Sequence, residues 1–111
     1  MNINRKAIEV VIEDKKMEMI LDFESAIYYQ ENMNESIFAG VQRIGKEMDV
    51  LAFAYLIAST LREVDGDLVG IDYVKKLDLV SSIDFFMNKL GELMDNSVPQ
   101  AKEEKNPKKK K

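Results

Sequence analysis

Two short runs near the start of the chain alternate apolar and polar residues, and everything after them follows a helical period. In residues 8–12, Ile8, Val10 and Ile12 share one side while Glu9 and Val11 take the other, followed by Glu13. In residues 17–23, Met17, Met19, Leu21 and Phe23 alternate with Glu18, Ile20 and Asp22. Period two predicts two strands, each with one buried face. The short polar link Asp14-Lys15-Lys16 predicts that they form an antiparallel hairpin. A two-stranded ribbon is marginal alone and needs a helix, or another subunit's strand, to cover it. Val11 and Ile20 lie on its otherwise polar face, so that face is not wholly wet.

After Phe23 the period changes. Residues 24–33 read as a short helix with Phe23, Ala26, Ile27 and Met33 inward, and the polar stretch 32–35 breaks it, with Asn34 as a cap for the next helix. Ile37, Phe38, Val41, Ile44 and Met48 then form a helical stripe. Gly40 and Gly45 weaken that helix by about 1 kcal/mol each relative to alanine, for which close packing of a neighbour is the usual reason. Residues 49–63 are the apolar centre of the chain: ten of the twelve residues from Val50 to Leu61 are apolar, with Asp49 as N-cap. A helix apolar on nearly every face must be covered all round, and the run is too short for a membrane span, which needs about 18 residues. Residues 63–70 read as a loop rich in turn residues. Ile71, Val74 and Leu77 mark one or two helical turns, and Asp78 caps a last helix whose stripe runs from Leu79 and Ile83 through Phe86 and Leu90 to Leu93 and Met94. The predicted architecture is α+β and mostly helical: an N-terminal antiparallel β-hairpin followed by a bundle of four to five helices. Residues 1–97 make a single domain, and residues 98–111, with two prolines and almost nothing apolar, a disordered basic tail.

Composition narrows the chemistry. Cysteine and histidine are both absent, which removes disulfides, thiolate metal sites, the commonest metal ligand and the usual general base. The lack of cysteine fits a reducing compartment, and with no signal-like segment at the start the expected location is cytoplasmic. The net charge of −4 divides unevenly: residues 98–111 carry six lysines and two glutamates, leaving ten basic and eighteen acidic groups in the other 97 residues. An acidic body without a cation cluster argues against nucleic acid as a partner.

The spacing Asp65, Asp67, Gly70 matches positions one, three and six of a calcium loop, but Val69 stands at position five and Lys76 at position twelve, where a bidentate glutamate is needed. A plain connection between helices is the better reading. Glu9, Glu13, Glu18 and Asp22 read as a solvated strand face rather than an acid/base pair, and no phosphate loop or nucleophile elbow is present. No catalytic, cofactor-binding or metal residue is therefore expected. The residues offered for partner binding are Val11, Ile20, Tyr28, Tyr29 and Phe85, although at helical spacing one of each aromatic pair is core. The seven methionines either fill the core or line an adaptable surface for partner helices.

The order of segments resembles a known family. The hairpin, then LDFESAIYYQENMNESIF, an apolar helix ending in LRE, the connection VDGDLVGIDYVKKLDL and a last amphipathic helix are similar to the tail assembly chaperones of long-tailed bacteriophages and prophages, over roughly residues 3–95. Leu21-Asp22-Phe23 and the stretch from Tyr73-Val74 to Leu77-Asp78 are the nearest matches. The resemblance implies a small cytoplasmic factor without enzymatic activity that is absent from the mature virion. It would bind the tape measure protein, keep it soluble and assist the tail tube protein's polymerisation around it. A homo-oligomer is also expected, because the ribbon offers a free strand edge. The competing class is a small acidic protein-binding module, such as an antitoxin or regulator that masks a basic partner.

The tail carries an expectation of its own. Lys108-Lys109-Lys110-Lys111 is encoded only by AAA and AAG codons, and a run of adenines lets a transfer RNA slip back one nucleotide and still pair. Genes of the family that the chain resembles make a minor, longer product by such a frameshift, and an extension beyond a disordered tail leaves the fold undisturbed. The expected outcome is an A-AAA-AAG or similar heptamer in the last four codons with an open −1 frame beyond the stop. Sequencing the gene decides it: AAG throughout, or an immediate stop in that frame, removes the mechanism.

Overall fold

The two alternating runs pair as expected. In the computed structural model, which describes residues 7–97, β1 (Ile8–Ile12) and β2 (Lys15–Met19) are antiparallel, with Ile8 opposite Met19 and Val10 opposite Met17. This register puts those four side chains on one face, and Val10, Met17 and Met19 are buried there. The turn is Glu13-Asp14, one residue earlier than expected, and both φ angles are positive, at 51° and 68°, as a two-residue type I′ turn requires.

β2 stops at Met19 rather than running to Phe23. The Ile20 N–H donates to the Thr60 carbonyl at 2.9 Å, and Asp22 begins α1 (Phe23–Met33) as its N-cap. The capping box is reciprocal: the Ser25 N–H donates to Asp22 Oδ1 at 3.0 Å, and the Asp22 N–H donates to Ser25 Oγ at 3.3 Å. Asn34 does not open the second helix. It closes the first in the left-handed conformation, φ 60°, with its N–H on the Gln30 carbonyl. Ser36 instead caps α2 (Ile37–Lys46).

α3 (Val50–Thr60) is the apolar centre, capped by Asp49. Phe53, Leu56, Ile57 and Ala58 are buried. Ser59 and Thr60 are buried too, because their hydroxyls donate back to carbonyls of their own helix, Tyr55 for Ser59 and Leu56 or Ile57 for Thr60. The helix is not covered all round, however: in its first turn Val50 is 66% and Leu51 57% exposed.

Leu61-Arg62-Glu63, expected as the end of that helix, is a third strand. β3 (Leu61–Glu63) pairs antiparallel with β2, giving the sheet order β1-β2-β3. It is held on its far side by a bridge from Arg62 to Leu68. α4 (Ile71–Lys75), a 3₁₀ turn (Val80–Ser82) and α5 (Ile83–Ser97) complete the chain, with Phe86, Leu90 and Leu93 buried. The architecture is thus α+β and mainly helical. The basic tail, 98–111, lies outside the described residues.

Two polar tethers cross this core. Arg62 is buried, and its Nη2 donates to Asp22 Oδ1 at 2.7 Å and to Ser25 Oγ at 3.3 Å. Elsewhere the buried Tyr29 hydroxyl donates to Glu35 at 2.6 Å, and Arg43 bridges Glu35 to the α3 cap Asp49. Gly40 belongs to this second tether, since a Cβ there would stand 2.2 Å from the Tyr29 hydroxyl. Gly45 meets nothing within 4 Å, so close packing does not explain it. Of the four residues expected inward on α1, Ala26 and Met33 do pack against the core, partly buried, but the first tether changes the rest of that face. Ser25 and Tyr29 turn inward, whereas Phe23, expected in the core, is 79% exposed and Ile27 is exposed with it.

Burial alone would raise the Asp22 carboxyl, but the Ser25 N–H and the Arg62 guanidinium outweigh it and hold it below its ordinary value. A depressed folded-state pKa contributes stability that is complete above the unfolded value, near 3.9, and lost as the pH falls through the folded one. Asp22→Ala strands a buried guanidinium and is expected to cost about 3–5 kcal/mol. Arg62→Met leaves Asp22 with the Ser25 N–H and costs less. Asp22→Asn is expected to flatten the acid limb of stability below about pH 4. Urea melts of the three variants at pH 7 and at lower pH test this ranking. An Asp22→Ala protein as stable as Arg62→Met contradicts the assignment.

Candidate partner-binding surface

The interior leaves no room for a ligand at its centre. The void between α2, α3 and α5, walled by Ile37, Val41, Leu56, Leu90 and Leu93, measures about 10 Å³, one water at most. Among the described residues no group of three His, Cys, Asp or Glu side chains could hold a metal ion, and no helix is long and apolar enough to cross a membrane. Any site in this region of the chain is therefore sought on the surface.

Of the five residues offered for partner binding, the fold brings two together. Val11, 60% exposed on β1, and Phe85, exposed on α5, line one groove of about 220 Å³. Ile12, Leu77 and Phe86 form its apolar floor, and Glu13 and Asp78 are its charged members. Phe85 stands edge-on to the buried Phe86, centroids 5.0 Å apart, so one of this pair is core and the other surface. Lys89 sits over the Phe85 ring, 5.7 Å from its centroid. Asp78 accepts from the Ser81 N–H at 3.3 Å, and the Ser81 hydroxyl and N–H hold its carboxyl below the ordinary value, so it is ionised at neutral pH.

The other three are placed differently. Ile20, expected on the outer face, is only 4% exposed, because the chain leaves β2 at Met19 and tucks against the end of α3. Tyr29 is buried in the second tether, and burial together with the Glu35 carboxylate raises its phenol above the usual range, so it stays a donor. Tyr28 is half-buried, its ring 6.4 Å from that of Tyr55 and its hydroxyl accepting from the Ile71 N–H at 3.0 Å. Ile20 and Tyr29 are thus out of a partner's reach in this conformation, and Tyr28 is only partly exposed.

Sequence reasoning missed other apolar surface. Phe23 and Ile27, one helical turn apart, are exposed on α1, with the half-buried Ala26 between them. Phe38 on α2, Met48 before α3, and Val50 and Leu51 in its first turn are exposed as well. The Met48–Leu51 patch runs against the expectation that the apolar helix is covered all round. Nothing local signals the α1 stripe, which depends on Arg62 being forty positions away from Asp22.

The loop at Asp65 is a tight connection. Asp65 has φ 58° and donates its N–H to Glu18 at 3.2 Å, while the Gly66 N–H returns to the Glu63 carbonyl at 2.8 Å. Compared with protein families, with curated proteins and with solved structures, the chain matches none of them.

With Lys76 in the twelfth position of that loop, calcium at about 1 mM, the weak end of calcium sites, is expected to leave the melting temperature unchanged. A rise of more than about 2 °C on adding calcium, reversed by chelator, would restore the loop as a binding site.

Proposed function

We propose that this chain is a non-catalytic tail assembly chaperone, which binds a tape measure protein and keeps it soluble while the tail tube protein polymerises around it. On this reading it works in the bacterial host cytoplasm as a homo-oligomer, needs neither metal nor nucleotide, and does not remain in the mature virion.

One observation carries the proposal beyond the resemblance over residues 3–95. Large apolar side chains stand exposed on a well-formed fold, among them Phe23, Phe38, Val50, Leu51 and Val80. Such surface marks an interaction site when it is contiguous, as the Phe23–Ile27 stripe is. A net charge of −8 on the 97 residues before the tail opposes indiscriminate aggregation through that surface. A chaperone for a long apolar helical client needs both properties. An acidic module masking a basic partner needs only the second, so the exposed aromatics favour the chaperone over an antitoxin or regulator.

Co-expression with a long helical tape measure protein encoded by a neighbouring gene, which this reading requires, tests it. The expected outcome is that the long protein moves from the insoluble to the soluble fraction and copurifies with the chain. Phe23→Lys combined with Ile27→Lys is expected to abolish that rescue while the melting temperature stays within about 3 °C, since surface substitutions change stability by about 0.5 kcal/mol. An insoluble long protein with and without the wild-type chain rejects the proposal.

A further inference from the structure

β1 is an edge strand, and among the described residues no other strand pairs with its outer side. The two-residue turn makes Ile12 and Lys15 a hydrogen-bonded pair, so the backbone of Ile8, Val10 and Ile12 faces β2. The N–H and C=O groups of Glu9 and Val11 therefore point away from the sheet. β2 and β3 have no such opening: β2 lies between two strands, and β3 is bridged at Leu68. The groove described above adjoins the open edge, since Val11 and Ile12, which point to opposite faces, both line it.

Charge and pattern decide what fits. An added strand would set its inward side chains beside Ile12, Phe85 and Phe86, and its outward ones beside Glu9 and Glu13. Apolar side chains suit the first row and cations the second. No residue lining the groove is basic; on the outward face Lys16 stands opposite Val11, but Glu9 faces Glu18 across the hairpin, a like-charge pair that an incoming cation would relieve. A second copy of β1 answers this need poorly, because its outward residues are Glu9, Val11 and Glu13. The chain's own tail supplies lysines but, with two prolines and only Val98 and Ala101 apolar, no alternating row.

We propose that the open edge of β1 and the adjoining groove bind an extended segment of another protein, in which apolar residues alternate with lysine or arginine, by adding it as a fourth strand. Main-chain hydrogen bonds to Glu9 and Val11 hold the segment, and the Phe85 side of the groove reads its apolar row. The inference stands apart from the tape measure reading and needs no particular client.

The test is an NMR titration of the full chain with a blocked octapeptide of alternating valine and lysine. Two controls accompany it: the same peptide with glutamate for lysine, and the lysine peptide N-methylated along its bonding edge. The expected result is that only the unmodified lysine peptide binds. On its binding the Glu9 and Val11 amides shift, and their exchange with solvent slows about tenfold or more. Val11→Lys and Phe85→Ala each weaken binding about tenfold while melting close to wild type. Equal binding of either control, unmoved Glu9 and Val11 amides, or unchanged affinity in both variants overturns the proposal. Slow exchange of those two amides without peptide overturns it as well. It would identify a second copy as the occupant if it depends on concentration, and another part of the same chain if it does not.

Discussion

One buried cation decides how the two ends of this fold meet. Arg62 comes from the short strand after the apolar helix, and its guanidinium can be kept from water only where carboxylate and hydroxyl oxygens await it. Those oxygens belong to Asp22 and Ser25, which are also the capping box of α1. The N-terminus of α1 is thereby fixed against β3, and β3 against β2. The same carboxylate accepts from a helix N–H and from the guanidinium, so helix start and strand position are a single interaction. Glu24 stands a further 3.7 Å from the guanidinium, and among the described residues the buried Arg62 Nε has no hydrogen-bond partner.

The constraint reaches the surface. Pinning Asp22 and Ser25 inward rotates α1 so that Tyr29, one turn on, also points in, and the residues between them, Phe23 and Ile27, are driven out. Tyr29 tolerates burial because its hydroxyl meets Glu35 in the gap left by Gly40, and Arg43 carries the network on to Asp49 at the start of α3. Two polar chains thus take part of the inward face of α1, beside the partly buried Ala26 and Met33, and leave Phe23 and Ile27 in solvent. Propensity and pattern favour the opposite arrangement. Local rules that fail in this way tend to fail where a surface has work to do.

The parts of the fold legible in the sequence are those governed by local period. The hairpin follows from alternation in residues 8–12 and 17–19, and the apolar helix and the last stripe follow from their spacing. What was not legible rests on contacts far apart in the chain. The strand Leu61–Glu63 continues an apolar helix without a break, and only the free edge of β2 converts it to extended backbone. The inward turn of Ser25 waits on Arg62. Of the groove, Val11 and Phe85 were visible as apolar residues out of place, but their meeting was not, because seventy-four positions separate them. Ile20 looked identical to Val11 by alternation; it differs because the strand ends one residue before it.

The distribution of charge accounts for how such a surface is tolerated. An open strand edge with apolar residues beside it invites pairing with copies of itself. Here that edge carries Glu9 and ends in Glu13-Asp14, and along the strand Val11 lies between Glu9 and Glu13, with Lys16 opposite it on β2. Self-pairing along β1 must gather carboxylates, whereas the hydrogen-bonding groups and the groove stay open to a strand of opposite charge. The exposed residues of α1 and of the first turn of α3 have no backbone edge beside them and can be covered only by side-chain packing. The two kinds of surface differ in what they select. A helix-facing patch accepts any apolar stripe of suitable width, while the edge demands extended backbone, period two and positive charge together. A chain that carries both can hold a partner loosely through the first and in a defined register through the second.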